Sequence, residues 1–239
     1  MVGQIETLHA MLATRPLLVN ETFFSIQGEG SLIGAPAFFI RLDGCPLRCH
    51  WCDTAYALAG DAGRALPVES LVSMAAAHER VVITGGEPLA QDIAPLVEAL
   101  APDHHVTVET SGTIFRDLPG VALFSLSPKV GSSGYRPKPL VLRKFCASAA
   151  GRMQLKFVIA GRRDLNEALG CCDSIAAVLP ADTPVVLQPE SSSAGSATSY
   201  HAFLKDVVQH VLDEPAWRAY DVRVLPQLHY LLWGGQAGR

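Results

Sequence analysis

Seven runs along the chain are rich in β-branched and aromatic residues and end in turn-forming ones. They are AFFIRL (37–42), RVVIT (80–84), HHVTVE (104–109), VALFSL (121–126), QLKFVIA (154–160), TPVVLQ (183–188) and DVRVL (221–225). Such runs predict strands. Between several of them the hydrophobic period lengthens. In QDIAPLVEALA, Ile93, Leu96, Val97 and Leu100 stand at i, i+3, i+4 and i+7, the stripe of an amphipathic helix. ESLVSMAAAH, RDLNEALGCCDSIAAV and SYHAFLKDVVQHVL also read as helices. Alternating strands and helices predict a parallel sheet covered by helices. The near-continuous apolar character of VVIT and VALFSL predicts strands buried on both faces.

Against that frame the chemically distinctive residues fall in one kind of place. GCPLRCHWC follows the first of these strands, GGEP the second, TSG the third, SPK the fourth, PES the sixth and PQLH the seventh. Each sits at the carboxyl end of a predicted strand, the end where parallel α/β folds bind ligands. The simpler alternative is that Gly, Pro and Ser mark turns wherever strands stop.

Composition narrows the classes. A chain of 239 residues suits one domain spanning 1–239, and 49% hydrophobic residues can build a sizeable core. A net charge of −4 gives no basic signature for nucleic acid or anionic membrane. No run of apolar residues is long enough to span a bilayer. MVGQIETLHAMLATRP lacks the charged and apolar regions of a signal peptide, so a cytoplasmic protein is expected. There, clustered thiols more often bind metal than form disulfides. SSSAGSATS (191–199) is expected to lead into a helix.

Within GCPLRCHWCDT, Cys45, Cys49 and Cys52 gather three of the six cysteines. A structural zinc site needs four ligands; His50, or a distant His104 or His105, would have to supply the fourth. An iron–sulfur cluster fits better, because thiolates hold such clusters and three of them leave one iron open. Cys146, Cys171 and Cys172 lie in helix-like segments and are expected in the core, where free cysteine is common.

The spacing Cys-x3-Cys-x2-Cys, with Trp51 before the last cysteine, resembles the radical S-adenosylmethionine superfamily, and TGGEP (84–88) supports the same resemblance. The resemblance implies a [4Fe-4S] cluster whose open iron chelates S-adenosyl-L-methionine. One electron then cleaves the sulfonium to a 5′-deoxyadenosyl radical. It also implies a partial, modified (β/α) TIM-like barrel of about six parallel strands.

Longer stretches are more selective. SIQGEG, FIRLDGC, CDT, TGGEP, ETSG, SPK, LQPE and LPQLHYLLWG together resemble the 7-carboxy-7-deazaguanine synthase family over most of the chain. That resemblance implies conversion of 6-carboxy-5,6,7,8-tetrahydropterin to 7-carboxy-7-deazaguanine by radical ring contraction with loss of ammonia, on the route to queuosine and related 7-deazapurines. It implies Mg2+ as a further cofactor, a homodimer, and a reductant protein such as flavodoxin.

Carried over residue by residue, Cys45, Cys49 and Cys52 hold the cluster. Ile26, Gln27 and Gly28 meet the pterin edge, Arg41 clamps the substrate carboxylate and Thr84 touches substrate. Thr54 gives its hydroxyl to magnesium. Gly86, Ser111, Ser127, Pro128, Lys129, Gln188, Pro189, Glu190 and Ser191 line the S-adenosylmethionine site, with His50 and Trp51 flanking it. Local alternatives exist for several. Thr54 could cap a helix, Glu29 could cap or pair locally, Arg41 could pair with Asp43, and Lys129 could be solvated. Two other functions share the cysteine motif. A glycyl-radical activating enzyme would act on a protein partner, and an electron-transfer module would need four cluster ligands and cleave no S-adenosylmethionine. SIQGEG and CDT favour the small-molecule reading.

Overall fold

The computed structural model describes residues 15–191, 196–234 and 236. The expectations for MVGQIETLHAMLAT and for nearly all of the terminal GQAGR lie outside those residues. Among the described residues, nine strands form a single sheet. Six that follow the amino-terminal region run in parallel: β4 (Arg80–Gly85), β5 (His105–Thr110), β6 (Leu123–Leu126), β7 (Met153–Ile159), β8 (Pro184–Pro189) and β9 (Asp221–Val224). A seventh, β2 (Pro36–Leu42), pairs parallel with β4. The expectation of about six parallel strands in a partial barrel is met with seven, and the order β3-β1-β2-β4-β5-β6-β7-β8-β9 leaves the sheet open at both ends.

Two strands escape the sequence pattern. β1 (Leu17–Ile26) pairs antiparallel with β2, and β3 (Arg64–Leu66) pairs antiparallel with β1. The alternation of LLVNETFFSI is broken by Asn20, Glu21 and Thr22, and the pairing register shifts between Val19 and Glu21. A bulge of this kind lets two residues oppose one and hides a strand from a period-two reading.

Helices α1 (Val68–Ala75), α2 (Ala94–Leu100), α3 (Pro139–Ser148), α4 (Arg162–Ile175), α5 (Ala197–Asp213) and α6 (Leu228–Trp233) connect or follow the strands. Ser196 opens α5 by accepting from the Ser199 amide, so SSSAGSATS does lead into a helix. The stripe Ile93, Leu96, Val97 and Leu100 is fully buried. Each such side chain stabilises the fold by about 1.5–3 kcal/mol. α6 and most of α3 are absent from the sequence expectation. No helix among the described residues is long and apolar enough to cross a membrane.

One face of the sheet carries the core. Ile40, Ile83, Val108, Leu126, Leu155 and Leu187 point to it and are completely buried under the helices, and Cys146, Cys171 and Cys172 are buried in the same core. The alternate positions point the other way; VVIT and the FSL end of VALFSL are buried on both faces as expected, but the second face is largely polar. Arg41, Thr84, Glu109, Ser125 and Lys156 occupy that inner face, beside a small apolar group of Ala37, Phe39, Val82 and Phe23 and the buried Val158 and Val186. Side chains of a strand alternate between faces, so a strand can be buried throughout and still present polar groups on one side. This inner face is the wall of a cavity.

Candidate active site

Parallel pairing brings the carboxyl ends of β2 and β4–β9 to one edge. The cavity that opens there has a volume of about 690 Å³, within the usual range for ligand sites. Cys45, Cys49 and Cys52 lie on its wall, half-buried. Burial pushes all three thiols up in pKa, so a positive metal centre is what would hold them as thiolates.

A single zinc ion would draw its ligands close together. Four thiolates on one zinc at about 2.3 Å would bring sulfurs to about 3.8 Å from one another. Among the described residues, the set of ligand atoms that converges within 4.8 Å is Glu29, Asp53 and His229, and the three cysteines form no such set. Three thiolates without a converging fourth ligand suit a multi-iron cluster that keeps one iron open.

The cluster loop is seated on the end of β4. The Gly86 amide donates to Leu42 O at 3.0 Å, and the Glu87 amide to Gly44 O at 2.9 Å. A Cβ on Gly86 would lie 2.3 Å from Gly44 O, so only glycine lets the two backbones meet. Glu87, almost fully buried, accepts from the Thr110 hydroxyl at 2.6 Å and from the Ser111 amide at 2.9 Å. The acid of GGEP thereby ties the end of β4 to TSG at the end of β5.

Arg41 and Thr84 are neighbours across the β2–β4 pair and both face the cavity. Arg41 does not pair with Asp43. Its Nε donates to Glu21 Oε1 at 2.8 Å, and Nη1 reaches Thr54 Oγ1 at 3.4 Å. Asp43 is buried and accepts from the Ala62 and Gly63 amides instead. Burial opposes the Arg41 charge, yet Tyr56 and Glu21 beside it hold the guanidinium above its ordinary pKa. Burial and the adjacent carboxylate also push Tyr56, which donates to Glu21 at 2.7 Å, up to about 12. Thr54 precedes a short 3-10 turn but makes no side-chain cap; its hydroxyl donates to Asp53 Oδ1 at 2.9 Å.

A chain of polar side chains crosses the cavity floor. Gln27 donates to Glu109 at 3.0 Å. Glu29 pairs with Lys156 and accepts from Gln227 Nε2 at 2.7 Å, so its partners are 127 and 198 residues away rather than local. Burial alone would raise the Glu29 carboxyl; Lys156, His229 and Gln227 overcome it and bring it down to about 2. Burial likewise opposes the Lys156 charge, and Glu29 with Glu109 keeps its pKa raised. Lys129 is not a solvated lysine. Its ammonium donates to Ser127 Oγ at 3.0 Å and lies 5.3 Å from the Trp51 ring, and burial lowers its pKa.

Ile26, Gln27, Gly28, Trp51, Gly86, Ser111, Ser127, Glu190 and Ser191 also line the cavity. His50 is exposed, its ring packed beside Gly134 on the outside of the loop. Pro128 and Pro189 lie at the ends of their segments and are not among the lining residues. Gln188 is completely buried beside Val158, and neither polar atom of its amide finds a partner among the described residues. A buried amide without a partner is costly, and a polar ligand reaching this depth would relieve it.

These features match known proteins. The Radical SAM superfamily profile matches residues 39–127. The 7-carboxy-7-deazaguanine synthase of Halobacterium salinarum is 34% identical over 242 residues, spanning 91% of this chain and 90% of that one. The chain belongs to the 7-carboxy-7-deazaguanine synthase family. The synthase of Aquifex aeolicus is 33% identical, covering 89% of this chain and 92% of its own. The crystal structure of QueE from Escherichia coli superposes with a TM-score of 0.64 at 26% identity, over 88% of this chain and 94% of that one.

Part of the cavity wall of this chain comes from residues without a sequence signature of their own. Glu109, Lys156, Gln227, His229 and Tyr230 all line it, and none was assigned a role from sequence. The carboxyl-terminal segment is pinned there from two sides: the Gln227 amide donates to Tyr200 Oη at 2.7 Å, and the Leu228 amide to Gly28 O at 2.9 Å. The ring of His229 then packs on Gly28, where a Cβ would lie 2.1 Å from Nδ1. The motif PQLH was the available signal.

Proposed function

We infer that the protein converts 6-carboxy-5,6,7,8-tetrahydropterin to 7-carboxy-7-deazaguanine as a radical S-adenosylmethionine lyase. The observation that carries this is the convergence of the three-cysteine loop, GGEP and the SIQGEG segment on one 690 Å³ cavity, in a chain of this family. A concave cavity of ligand size favours a small-molecule substrate over a protein backbone, and the three cysteine ligands favour catalysis over electron storage.

The [4Fe-4S] cluster and S-adenosylmethionine supply hydrogen-atom abstraction when bound. Cys45, Cys49 and Cys52 are the residues that would hold the cluster. Gly86, Ser111, Ser127, Lys129, Glu190 and Ser191 would surround S-adenosylmethionine beside it. Gln27 offers a donor and an acceptor to the pyrimidinone edge. Arg41 presents a charged fork to the substrate carboxylate, a match of geometry as well as charge. Thr54 and the neighbouring Asp53 carboxylate offer oxygen ligands of the kind Mg2+ takes, usually one or two from protein beside those of substrate and water. The buried Glu29–Lys156 pair fixes the floor against which the ring would lie.

The test is direct. Protein reconstituted anaerobically receives reductant, S-adenosylmethionine, Mg2+ and the carboxypterin, and the deazaguanine product is sought by mass. Cluster-loaded protein that cleaves S-adenosylmethionine but leaves the carboxypterin unchanged would reject this substrate.

A further inference from the structure

Among the described residues, the Lys and Arg side chains that line the cavity are Arg41, Lys129 and Lys156. Arg41 pairs with Glu21, and Lys156 with Glu29. Lys129 has no ion-pair partner among the described residues. A cation drawn out of water without a counter-ion is costly. The fold does not need one here, because the core lies on the other face of the sheet and is apolar. Lys129 is therefore placed for a negative charge that no nearby carboxylate supplies.

Its position is fixed from two sides. Lys129 stands just after β6 and shares the cavity wall with Cys45, Cys49 and Cys52. The ammonium donates to Ser127 Oγ at 3.0 Å and lies 5.3 Å from the centre of the Trp51 ring, within the range of a cation–π contact. Both holders are themselves anchored. The Ser127 amide donates to Thr110 O at 2.7 Å, and Trp51 Nε1 donates to Ser132 Oγ at 2.9 Å. Trp51 immediately precedes Cys52, so lysine and cysteine loop are positioned together.

The charge acts on the thiols beside it. Lys129 favours the thiolates of Cys49 and Cys52 against the burial that opposes them, and Cys49 is in turn the strongest influence favouring the Lys129 ammonium. A fixed positive charge next to a redox centre favours the form with more electrons, because reduction adds a negative charge. Net charge near the sulfurs is one of the terms that set an iron–sulfur potential. Lys156 shares the cavity, but Glu29 beside it cancels most of its field.

We propose that Lys129 raises the reduction potential of the cluster held by Cys45, Cys49 and Cys52, its fixed positive charge stabilising the one-electron-reduced state. A low-potential donor is oxidised by one electron and the cluster is reduced by one. Lys129 keeps its proton, and no bond is made or broken. This role is separate from contact with S-adenosylmethionine, because Ser127 and Trp51 set the charge in place before any ligand arrives. The inference rests on the iron–sulfur reading of the three cysteines.

The test is an anaerobic potentiometric titration of the cluster-loaded full chain, without S-adenosylmethionine, with low-potential viologen mediators and the reduced EPR signal as readout. Lys129→Met removes the charge at similar length, and Lys129→Arg keeps it. Lys205→Met neutralises an exposed cation on α5 and serves as the control. At equal applied potential, the ratio of reduced to oxidised cluster in Lys129→Met should be about tenfold below wild type, a midpoint lower by about 59 mV for one electron. Lys129→Arg should recover most of the loss, and Lys205→Met should match wild type. Ser127→Ala keeps the charge but loosens it, so its midpoint should move the same way by less; it decides the matter if Lys129→Met takes up no cluster. Iron and sulfide content are measured first, and wild-type protein that holds no EPR-active cluster would reject the iron–sulfur reading and the proposal with it. In cluster-loaded protein, an unchanged midpoint with only weaker S-adenosylmethionine binding would make Lys129 a cofactor ligand alone and overturn the proposal. An equal shift in Lys205→Met would overturn it too.

Discussion

Replacing Arg41 by alanine removes the one guanidinium on the β2 side of the cavity that has a free arm. Its Nε is committed to Glu21 at 2.8 Å, Nη1 makes only a long contact of 3.4 Å with Thr54, and Nη2 makes no hydrogen bond among the described residues. The side chain is 15% exposed, so a carboxylate bound to it would be largely shielded from water. Removing one partner of such a buried charged pair costs about 2–5 kcal/mol. At about 1.4 kcal/mol per tenfold change, Arg41→Ala should bind the carboxypterin on the order of thirty- to several-thousand-fold more weakly. Anaerobic calorimetric titration measures this, with iron content, S-adenosylmethionine binding and the thermal midpoint as controls. Arg41→Lys should recover only part of the loss, because an ammonium cannot reproduce two parallel hydrogen bonds. Glu21→Gln keeps an acceptor for Nε but removes the charge that orients it, and should cost about two- to tenfold. Carboxypterin affinity equal to wild type in folded, cluster-loaded Arg41→Ala would refute the reasoning and put the carboxylate elsewhere in the cavity.

Three further outcomes are expected. Alanine at Cys45, Cys49 or Cys52 should sharply lower iron, sulfide and the reduced EPR signal, whereas Cys171→Ala, in the core, should retain the cluster; full iron occupancy in all three loop variants would contradict the ligand set. Thr54→Ala should raise the magnesium concentration needed for turnover, read as a rightward shift of the Mg2+ titration, and an unshifted curve counts against a role in holding the ion. The Glu29 carboxyl, ordinarily near 4.5 and brought to about 2 in the fold, stabilises the protein above about pH 4.5 and loses that contribution as pH falls toward 2. Lys156→Met leaves Glu29 buried without its partner and should cost about 3–5 kcal/mol near neutral pH, a gap from wild type in denaturant melts that narrows below about pH 4; a gap that stays constant would assign the loss to packing.

Residue type and order alone determined much of this protein. The runs at 37–42, 80–84 and 104–109 specify strands because β-branched and aromatic side chains suit a pleated, buried surface, and the stripe of Ile93, Leu96, Val97 and Leu100 specifies a helix face. The three cysteines announce metal chemistry because few other side chains bind iron and sulfur, and strand–helix alternation alone places GCPLRCHWC, GGEP and TSG at one edge. What lay beyond the sequence depends on contacts between distant residues. Glu21 looked like an ordinary acid in an irregular segment; the antiparallel pairing of β1 with β2 sets it against Arg41. Glu29 sits in a recognisable motif, yet its partners Lys156 and Gln227 come from β7 and from just before α6. Gln227 and His229 enter the cavity only because Tyr200 and Gly28 fold the end of the chain over it. Local propensity acts through neighbours in sequence and is visible there. The pairing of buried charges is enforced by the cost of leaving them unpaired in a low dielectric, and that cost exists only after the tertiary fold has removed the water.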